Sequence, residues 1–344
     1  MKKTLLFTLL VATFVSAQTL QTEDFNTLTL GNVATSTAAG QGGWYLAASN
    51  GTAPTTSTNA AYTNAQIVTS GGSNALQVVG PNGDKGSRFI WKDGVNTAWA
   101  ARTTGNNIIE IEADINPGAL STSQNLMGVY VYDSTYTKVL AGFAVNASTG
   151  ELYLVCYSTS GTTTANYSWR LAAAPGIILP ASQVSRIGVS YNKTTGQVRI
   201  KGPGIATTGL ALTGAAIATD PFEVDVIAVA GGTTTAVNTA AATMVFDNIT
   251  VKATAADSLL GINSFNVDPT YVSLFPNPTT GILHIDTANN AEVKSMQLVD
   301  VNGRVIKIVN GFTAQLDLTT LSNGVYMLTI ETATAKETKK IIKN

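Results

Sequence analysis

Residues Val139–Ser158 read "VLAGFAVNASTGELYLVCYS". Two alternating apolar runs flank "NASTG", and Gly150 stands where a residue with positive φ closes a short hairpin loop. A second hairpin repeats the chemistry: "NKTTG", Asn192 to Gly196, within "VSRIGVSYNKTTGQVRIKG". Strands joined by such loops pair antiparallel. Four further runs, "NIIEIEADIN", "NLMGVYVYDS", "PFEVDVIAVAG" and "ATMVFDNITVKA", have the same short-strand character, with turn clusters such as "AGGTTT" between them. So many short strands in one stretch predict an all-β unit of two packed antiparallel sheets.

The chain has 344 residues, a formal net charge of -1, and 12% charged against 44% hydrophobic residues. The near-neutral balance, with no basic stripe, gives no electrostatic footprint for nucleic acid, so no nucleic-acid partner is expected. The apolar fraction suffices for a core and argues against disorder. The length fits two folded units. The single cysteine, Cys156, excludes a disulfide within the chain and reads as a buried, inert thiol. The opening "MKKTLLFTLLVATFVSA" combines Lys2 and Lys3, a short apolar run and small residues at Val15-Ser16-Ala17. This is the pattern of a signal peptide over residues 1–17, so export is expected.

Residues 18–254 form the large β unit, 255–271 a weakly patterned connector, and 272–344 a second, smaller β unit. The second unit opens with "VSLFPNPTTGILHI", where Pro276 and Pro278 stop sheet pairing and force a turned entry. Asn277 and Gly281 complete that turn. "LVDVNGRVI", with Asn302 and Gly303, "LDLTTLSNGVYMLTIET", with Gly324 and Tyr326, and the basic ending "KETKKIIKN" follow in order. This constellation resembles the type A C-terminal sorting domain of the type IX secretion system of Bacteroidetes. The resemblance implies a small Ig-like sandwich serving as a translocation signal. It also implies passage through the periplasm, engagement by the secretion machinery and its sortase, and either attachment to surface lipopolysaccharide or release. The only histidine, His284, lies in this unit and reads as structural, which leaves the larger unit without a His-based triad or a His-rich metal site.

The larger unit opens with "EDFNTLTLGNVATSTAAGQGGWYL" and closes with "MVFDNITV". That pairing resembles concanavalin A-like, laminin G-like jelly rolls. The resemblance implies neighbouring first and last strands and a concave face that often binds carbohydrate. It carries no activity. In "IIEIEADI" the period of two sets Ile109, Ile111, Ala113 and Ile115 on one face and Glu110, Glu112 and Asp114 on the other. Alternate residues on a strand stand about 7 Å apart, near the spacing of paired carboxylates in glycoside hydrolysis. The row is similar to the E-x-D-x-x-E or E-x-D-x-E strand of laminarinase-like glycosidases, with Glu112 in place of the central Asp and Asp114 in place of the last Glu. Each departure moves the carboxyl by about one methylene. Glu110, Glu112 and Asp114 are therefore candidate catalytic residues, and equally a solvated strand face.

Tyr130 and Tyr132 share one strand face, and Tyr153 and Tyr157 share another, each opposite an apolar face. In a sandwich the tyrosines would line an exposed sheet surface suited to sugar rings. Trp169 and Arg170, with Trp44, Trp91 and Trp99, could extend that platform; the plain alternative is packing under loops. Oxygens of "PNGDKG" (Pro81 to Gly86), Asp93 and Asp247 could hold Ca2+. Asp133-Ser134-Thr135 and Asp257-Ser258-Leu259 match the D-[S/T]-hydrophobic O-glycosylation pattern, and the connector copy should be exposed. The leading expectation is a non-catalytic carbohydrate-binding or adhesion protein, cell-surface or secreted. A polysaccharide-degrading enzyme and a structural surface or matrix protein are the alternatives.

Overall fold

The computed structural model describes residues 17–49, 60–233, 236–260, 272–287, 293–300, 304–332 and 336–344. Most of the signal-peptide segment, part of the connector, Asn302 and Gly303 lie outside these residues. The chain divides into two compact units, Met1–Asn263 and Ser264–Asn344.

The N-terminal unit contains β1 (Gln18–Glu23), β2 (Gly31–Asn32), β3 (Trp44–Ser49), β4 (Ala65–Ser70), β5 (Ser73–Val79), β6 (Ser87–Lys92) and the short helix α1 (Val95–Ala100). Next come β7 (Ile108–Asn116), β8 (Leu126–Tyr132), β9 (Val139–Asn146), β10 (Glu151–Ser160), β11 (Thr163–Arg170) and β12 (Ile177–Ile178). The series ends with β13 (Ser185–Asn192), β14 (Gln197–Lys201), β15 (Leu210–Thr213), β16 (Glu223–Val229) and β17 (Thr243–Thr254). All pairings between these strands are antiparallel. The first sheet runs β15-β14-β13-β7-β17-β5-β4-β2, with β1 on β17; the second runs β11-β10-β9-β8-β16-β6-β3, with β12 on β10. The first and last strands pair, Gln18 opposite Ala253.

Both expected hairpins form. Gly150 (φ +71) donates its N–H to the Asn146 carbonyl at 2.8 Å, and Gly196 (φ +72) does the same to Asn192 at 2.8 Å. The Asn146 and Asn192 side chains each accept two backbone N–H groups of their own loops. Period-two alternation fills the space between the sheets. Ile109, Ile111, Ala113 and Ile115 of β7 meet Val129 and Val131 of β8, Phe143 of β9 and Val224 and Val226 of β16 in one core. Each fully buried aliphatic or Phe side chain contributes about 1.5–3 kcal/mol. Cys156 is buried in this core, and burial pushes its thiol up to about 11.

The C-terminal unit has β18 (Val272–Phe275), β19 (Ile282–Thr287), β20 (Val293–Asp300), β21 (Val305–Asn310), β22 (Gln315–Asp317), β23 (Gly324–Thr332) and β24 (Lys336–Lys343). They form two sheets, β18-β19-β22 and β21-β20-β23-β24, around Leu283, Ile285, Leu298, Leu316, Leu328 and Ile341. The Asn-Pro turn has a clear task here. Asn277 Nδ2 donates to the Lys340 carbonyl at 2.7 Å, and its Oδ1 accepts the Ile342 N–H at 2.9 Å. Thr279 continues the pairing through its N–H to the Ile342 carbonyl, 2.9 Å, and its carbonyl to the Asn344 N–H, 2.9 Å. Two prolines leave no N–H for pairing, so Asn277 supplies a side-chain amide instead. His284 stacks on Phe275 at 5.5 Å between ring centroids. The Tyr326 hydroxyl donates to the Ser322 carbonyl at 2.8 Å.

Candidate ligand-binding groove

Strand β16 alternates Val224, Val226 and Ala228 into the core with Glu223, Asp225 and Ile227 on the outer face of the second sheet. Its register assembles a lateral row. Asp225 stands opposite Tyr130 on one side and Trp91 on the other, and Trp91 stands opposite Tyr45. Glu223 stands opposite Tyr132. Directly opposed residues lie close enough to interact side by side. Tyr45 and Trp91 stack, 5.2 Å between centroids and 10° between planes.

The loop between β8 and β9 adds Tyr136. Asp133 fixes that loop by accepting the Thr135 hydroxyl at 2.7 Å and the N–H groups of Thr137 and Lys138 at 3.1 and 3.0 Å. Burial opposes ionisation of Asp133, yet these hydrogen bonds and the Lys138 charge prevail and lower its pKa. Tyr136 has φ +57, a left-handed conformation uncommon outside glycine. It is half exposed, meets Phe222 edge-on at 5.7 Å and Tyr132 at 6.3 Å, and its hydroxyl donates to Glu223 Oε2 at 3.4 Å.

These side chains line two adjoining clefts that share Trp91, Tyr136 and Glu223. One, about 300 Å³, has Ala47, Phe89, Tyr132 and Asp225 in its walls. The other, about 650 Å³, adds Thr37, Tyr45, Lys92, Asp93 and Phe222. Asp225 is 3% exposed and its Oδ1 has no hydrogen-bond partner. Burial, then repulsion from Glu223 and the hydrogen bond Asp225 shares with it, pushes its carboxyl up to about 9. Burial and Asp93 also raise Glu223. Asp93, foremost by its charge, raises Tyr45. Lys92 is committed to Glu23 at 3.4 Å. The groove is thus aromatic-walled and acidic, with one neutral carboxyl at pH 7.

The expected aromatic platform is divided by the structure. Tyr130 and Tyr132 do face outward, but each is 8% exposed, not an open surface. Gly142 on β9 explains Tyr130: the ring lies where a Cβ would stand, 2.5 Å from Tyr130 Cδ1. Tyr132 lines the smaller cleft. Tyr153 and Arg170 form a separate cluster on Glu151, with a Tyr153 hydroxyl bond of 2.5 Å and an Arg170 ion pair of 2.5 Å. Tyr157 and Trp169 pack against the main core, and Trp169 Nε1 donates to Ser158 at 2.8 Å. Trp44 and Trp99 are buried and bonded to Glu23 and Asp220. Of the expected platform, Trp91 and Tyr132 line the groove. Sequence reading missed Glu223, Asp225, Tyr45 and Tyr136. The signal for the acids was available: "FEVDVIAV" alternates as "IIEIEADI" does.

The acidic row on β7 has the expected outward orientation on the first sheet, but it is covered. Residues Ala255–Leu260 continue across it. Glu110 accepts the Ser258 N–H and hydroxyl, each at 2.5 Å. Glu112 accepts the Leu260 N–H at 3.0 Å and Arg186 at 3.2 Å; Asp114 accepts Arg186 at 3.1 Å and Asn248 at 2.8 Å. Leu259 is fully buried, and Asp257 pairs with Arg199 at 2.8 Å and Lys201 at 3.2 Å. Burial raises Glu110 despite the bonds from Ser258. The expectation that Asp257-Ser258-Leu259 is exposed is therefore corrected: the Ser258 hydroxyl is used within the fold. For calcium, the carbonyls of Pro81 and Gly83 already accept the Asn238 side-chain amide at 2.9 and 2.8 Å. Among the described residues no three His, Cys, Asp or Glu side chains gather as a metal site.

Residues 273–344 match the family described as secretion system C-terminal sorting domain. The C-terminal unit is a type IX sorting domain, which indicates export to the cell surface or secretion. No curated protein matches the chain. Among solved structures, the chain is similar to alginate lyase vAL-1 from Chlorella virus, with 12% identity and TM-score 0.43, over 68% of this chain and 99% of that one. It is likewise similar to the marine PL-14 alginate lyase from Aplysia kurodai, with 10% identity and TM-score 0.43, over 68% and 98%. The cellulose induced protein Cip1 aligns at 14% identity and TM-score 0.42, over 68% and 97%.

Proposed function

We propose that the chain is a surface-displayed or secreted protein whose N-terminal sandwich binds carbohydrate in the groove on β16. The observation that carries this reading is the row Asp225–Trp91–Tyr45 facing the clefts, with a buried carboxyl oxygen given no donor by the chain outside the Asp225–Glu223 pair. Flat aromatic walls accept sugar faces, and a few placed polar groups orient hydroxyls. An orphaned buried acceptor is costly, so a ligand hydroxyl or N–H that reaches it gains affinity. The sorting unit is read by the type IX machinery, and we extend the proposal to passage through the periplasm and attachment to surface lipopolysaccharide.

Polysaccharide cleavage is the second reading, favoured by one observation: a carboxyl held protonated at neutral pH can serve as a general acid. Its geometry is unfavourable for hydrolysis. Glu223 and Asp225 lie side by side and interact directly, whereas hydrolytic pairs stand about 5 Å or more apart to flank the scissile bond.

The test is a glycan array probed with the full chain, followed by Trp91→Ala and Tyr136→Ala at unchanged melting temperature. Selective binding weakened tenfold or more by Trp91→Ala is expected. Silence across the array, or binding indifferent to both substitutions, removes the groove as the site. Product release from a bound glycan, lost in Asp225→Asn, would move the assignment to the enzyme.

A further inference from the structure

Resting on the carbohydrate reading, we infer that the groove selects a glycan bearing a free amine, a glucosamine-type unit whose ammonium sits over Glu223 and Asp225 against Trp91 and Tyr136. Three features point to it. The ionisable carboxyls that line the two clefts, Asp93, Glu223 and Asp225, are all acidic, and the one basic side chain there among the described residues, Lys92, is paired with Glu23. The walls are π-faces, Trp91 stacked with Tyr45 and flanked by Tyr132, Tyr136 and Phe222, and a cation over such faces is attracted by their quadrupole. Asp225 Oδ1, buried and given no donor by the chain outside the Asp225–Glu223 pair, lies in the wall between them.

Other glycan classes fit less well. A uronate polymer brings carboxylates toward carboxylates. A neutral hydroxyl or an N-acetyl N–H satisfies Oδ1 but brings no positive charge to the acidic groove. An ammonium supplies donors and counter-charge together, so both acids can ionise when it binds. The groups that face this pair are Tyr130 and Tyr132 from β8, Tyr136 from the loop, Trp91 from β6 and Asp93 beyond it; none carries positive charge.

The experiment is calorimetric titration of the full chain with a β-1,4-linked glucosamine hexamer, its fully N-acetylated counterpart and a uronate hexamer. The glucosamine hexamer is expected to bind at least tenfold more tightly than the acetylated one, and the uronate to bind neither detectably nor in competition. Asp225→Asn keeps size and hydrogen bonding but removes the counter-charge, and should cut the preference below threefold. Glu223→Gln repeats the reading if Asp225→Asn melts early. Equal affinity for the amine and acetylated forms, or a preference unchanged in both variants, overturns the amine assignment. It leaves carbohydrate binding standing when a neutral glycan still binds through Trp91. Binding of polylysine but not of the glucosamine hexamer also overturns it, by placing the amine on a protein. Silence of every glycan removes both readings.

Discussion

The N-terminal sandwich carries two rows of acids on its two outer faces, and they meet opposite fates. On β7, Glu110, Glu112 and Asp114 are matched by Ser258, Leu260, Arg186 and Asn248, every one a group of the chain itself. On β16, Glu223 and Asp225 have a tyrosine hydroxyl at 3.4 Å, each other, and an oxygen with no donor. Both rows arise from the same alternation. The difference is what the rest of the chain brings to them. A satisfied acid row stabilises a fold, whereas the less satisfied row beside aromatic walls is the one we propose receives a ligand.

The strongest way to break this comparison is to uncover the first face. A chain ending at Thr254 lacks Ala255–Leu260 and should be less stable than one ending at Asn263 by about 3–5 kcal/mol. That sum joins the burial of Leu259 to the lost hydrogen bonds on Glu110 and Glu112. Leu259→Ala alone should cost about 2–4 kcal/mol. Denaturant midpoints read both. Equal stability of the two chains would mean that the segment merely rests on the sheet, and the β7 row would again be an open acidic face.

The second test concerns pH. Asp225 has a folded pKa of about 9, well above the unfolded carboxyl near about 3.9. Between those values the native state holds a proton that the unfolded chain has lost. Stability from this group is complete below about pH 4 and declines as pH rises through about 9. Asp225→Asn removes that decline. It should leave stability nearly unchanged at pH 4 and raise it progressively toward pH 9, so that the variant's advantage grows with pH. A melting-temperature gain independent of pH would show that Asp225 is not the titrating acid. The β7 row predicts no comparable gain for Glu112→Gln, because Arg186 and Leu260 already meet its charge.

How much of this was legible follows from the range of each interaction. The hairpins at Asn146–Gly150 and Asn192–Gly196 were readable because their chemistry lies within five residues. The faces of β7 and β8 were readable because alternation is local, and the sorting unit because its motifs recur in order. The covering of β7 was not, since Ser258 and Glu110 lie 148 residues apart and "AADSLL" has no period to betray a bound segment. The groove depends on register across four strands, β8, β16, β6 and β3, which brings Tyr130, Asp225, Trp91 and Tyr45 into line. No single run shows that. The tyrosine pairs were grouped by strand face alone, so Tyr153 and Tyr157 were placed with Tyr130 and Tyr132, although β9 and Glu151 lead them elsewhere.

The smallest expected effect sharpens the comparison most. Asp257 pairs with Arg199 and Lys201 at the rim of the covered face, where the partners are 17–26% exposed on their side chains. Water and salt screen such pairs, so Asp257→Asn should cost only about 0.5–1 kcal/mol, and less still at high ionic strength. The segment is then held mainly from beneath, by Leu259 in the packing and by the buried Glu110 and Glu112 carboxylates. The alternative is a segment held by its rim charges, for which Asp257→Asn would cost as much as Leu259→Ala and both costs would fade in salt. In that case the first face would open under modest ionic change. Its acids would become available, and the distinction between a row that folds and a row proposed to bind would fail. Salt-independent loss in Leu259→Ala beside a small, salt-sensitive loss in Asp257→Asn keeps the two faces apart.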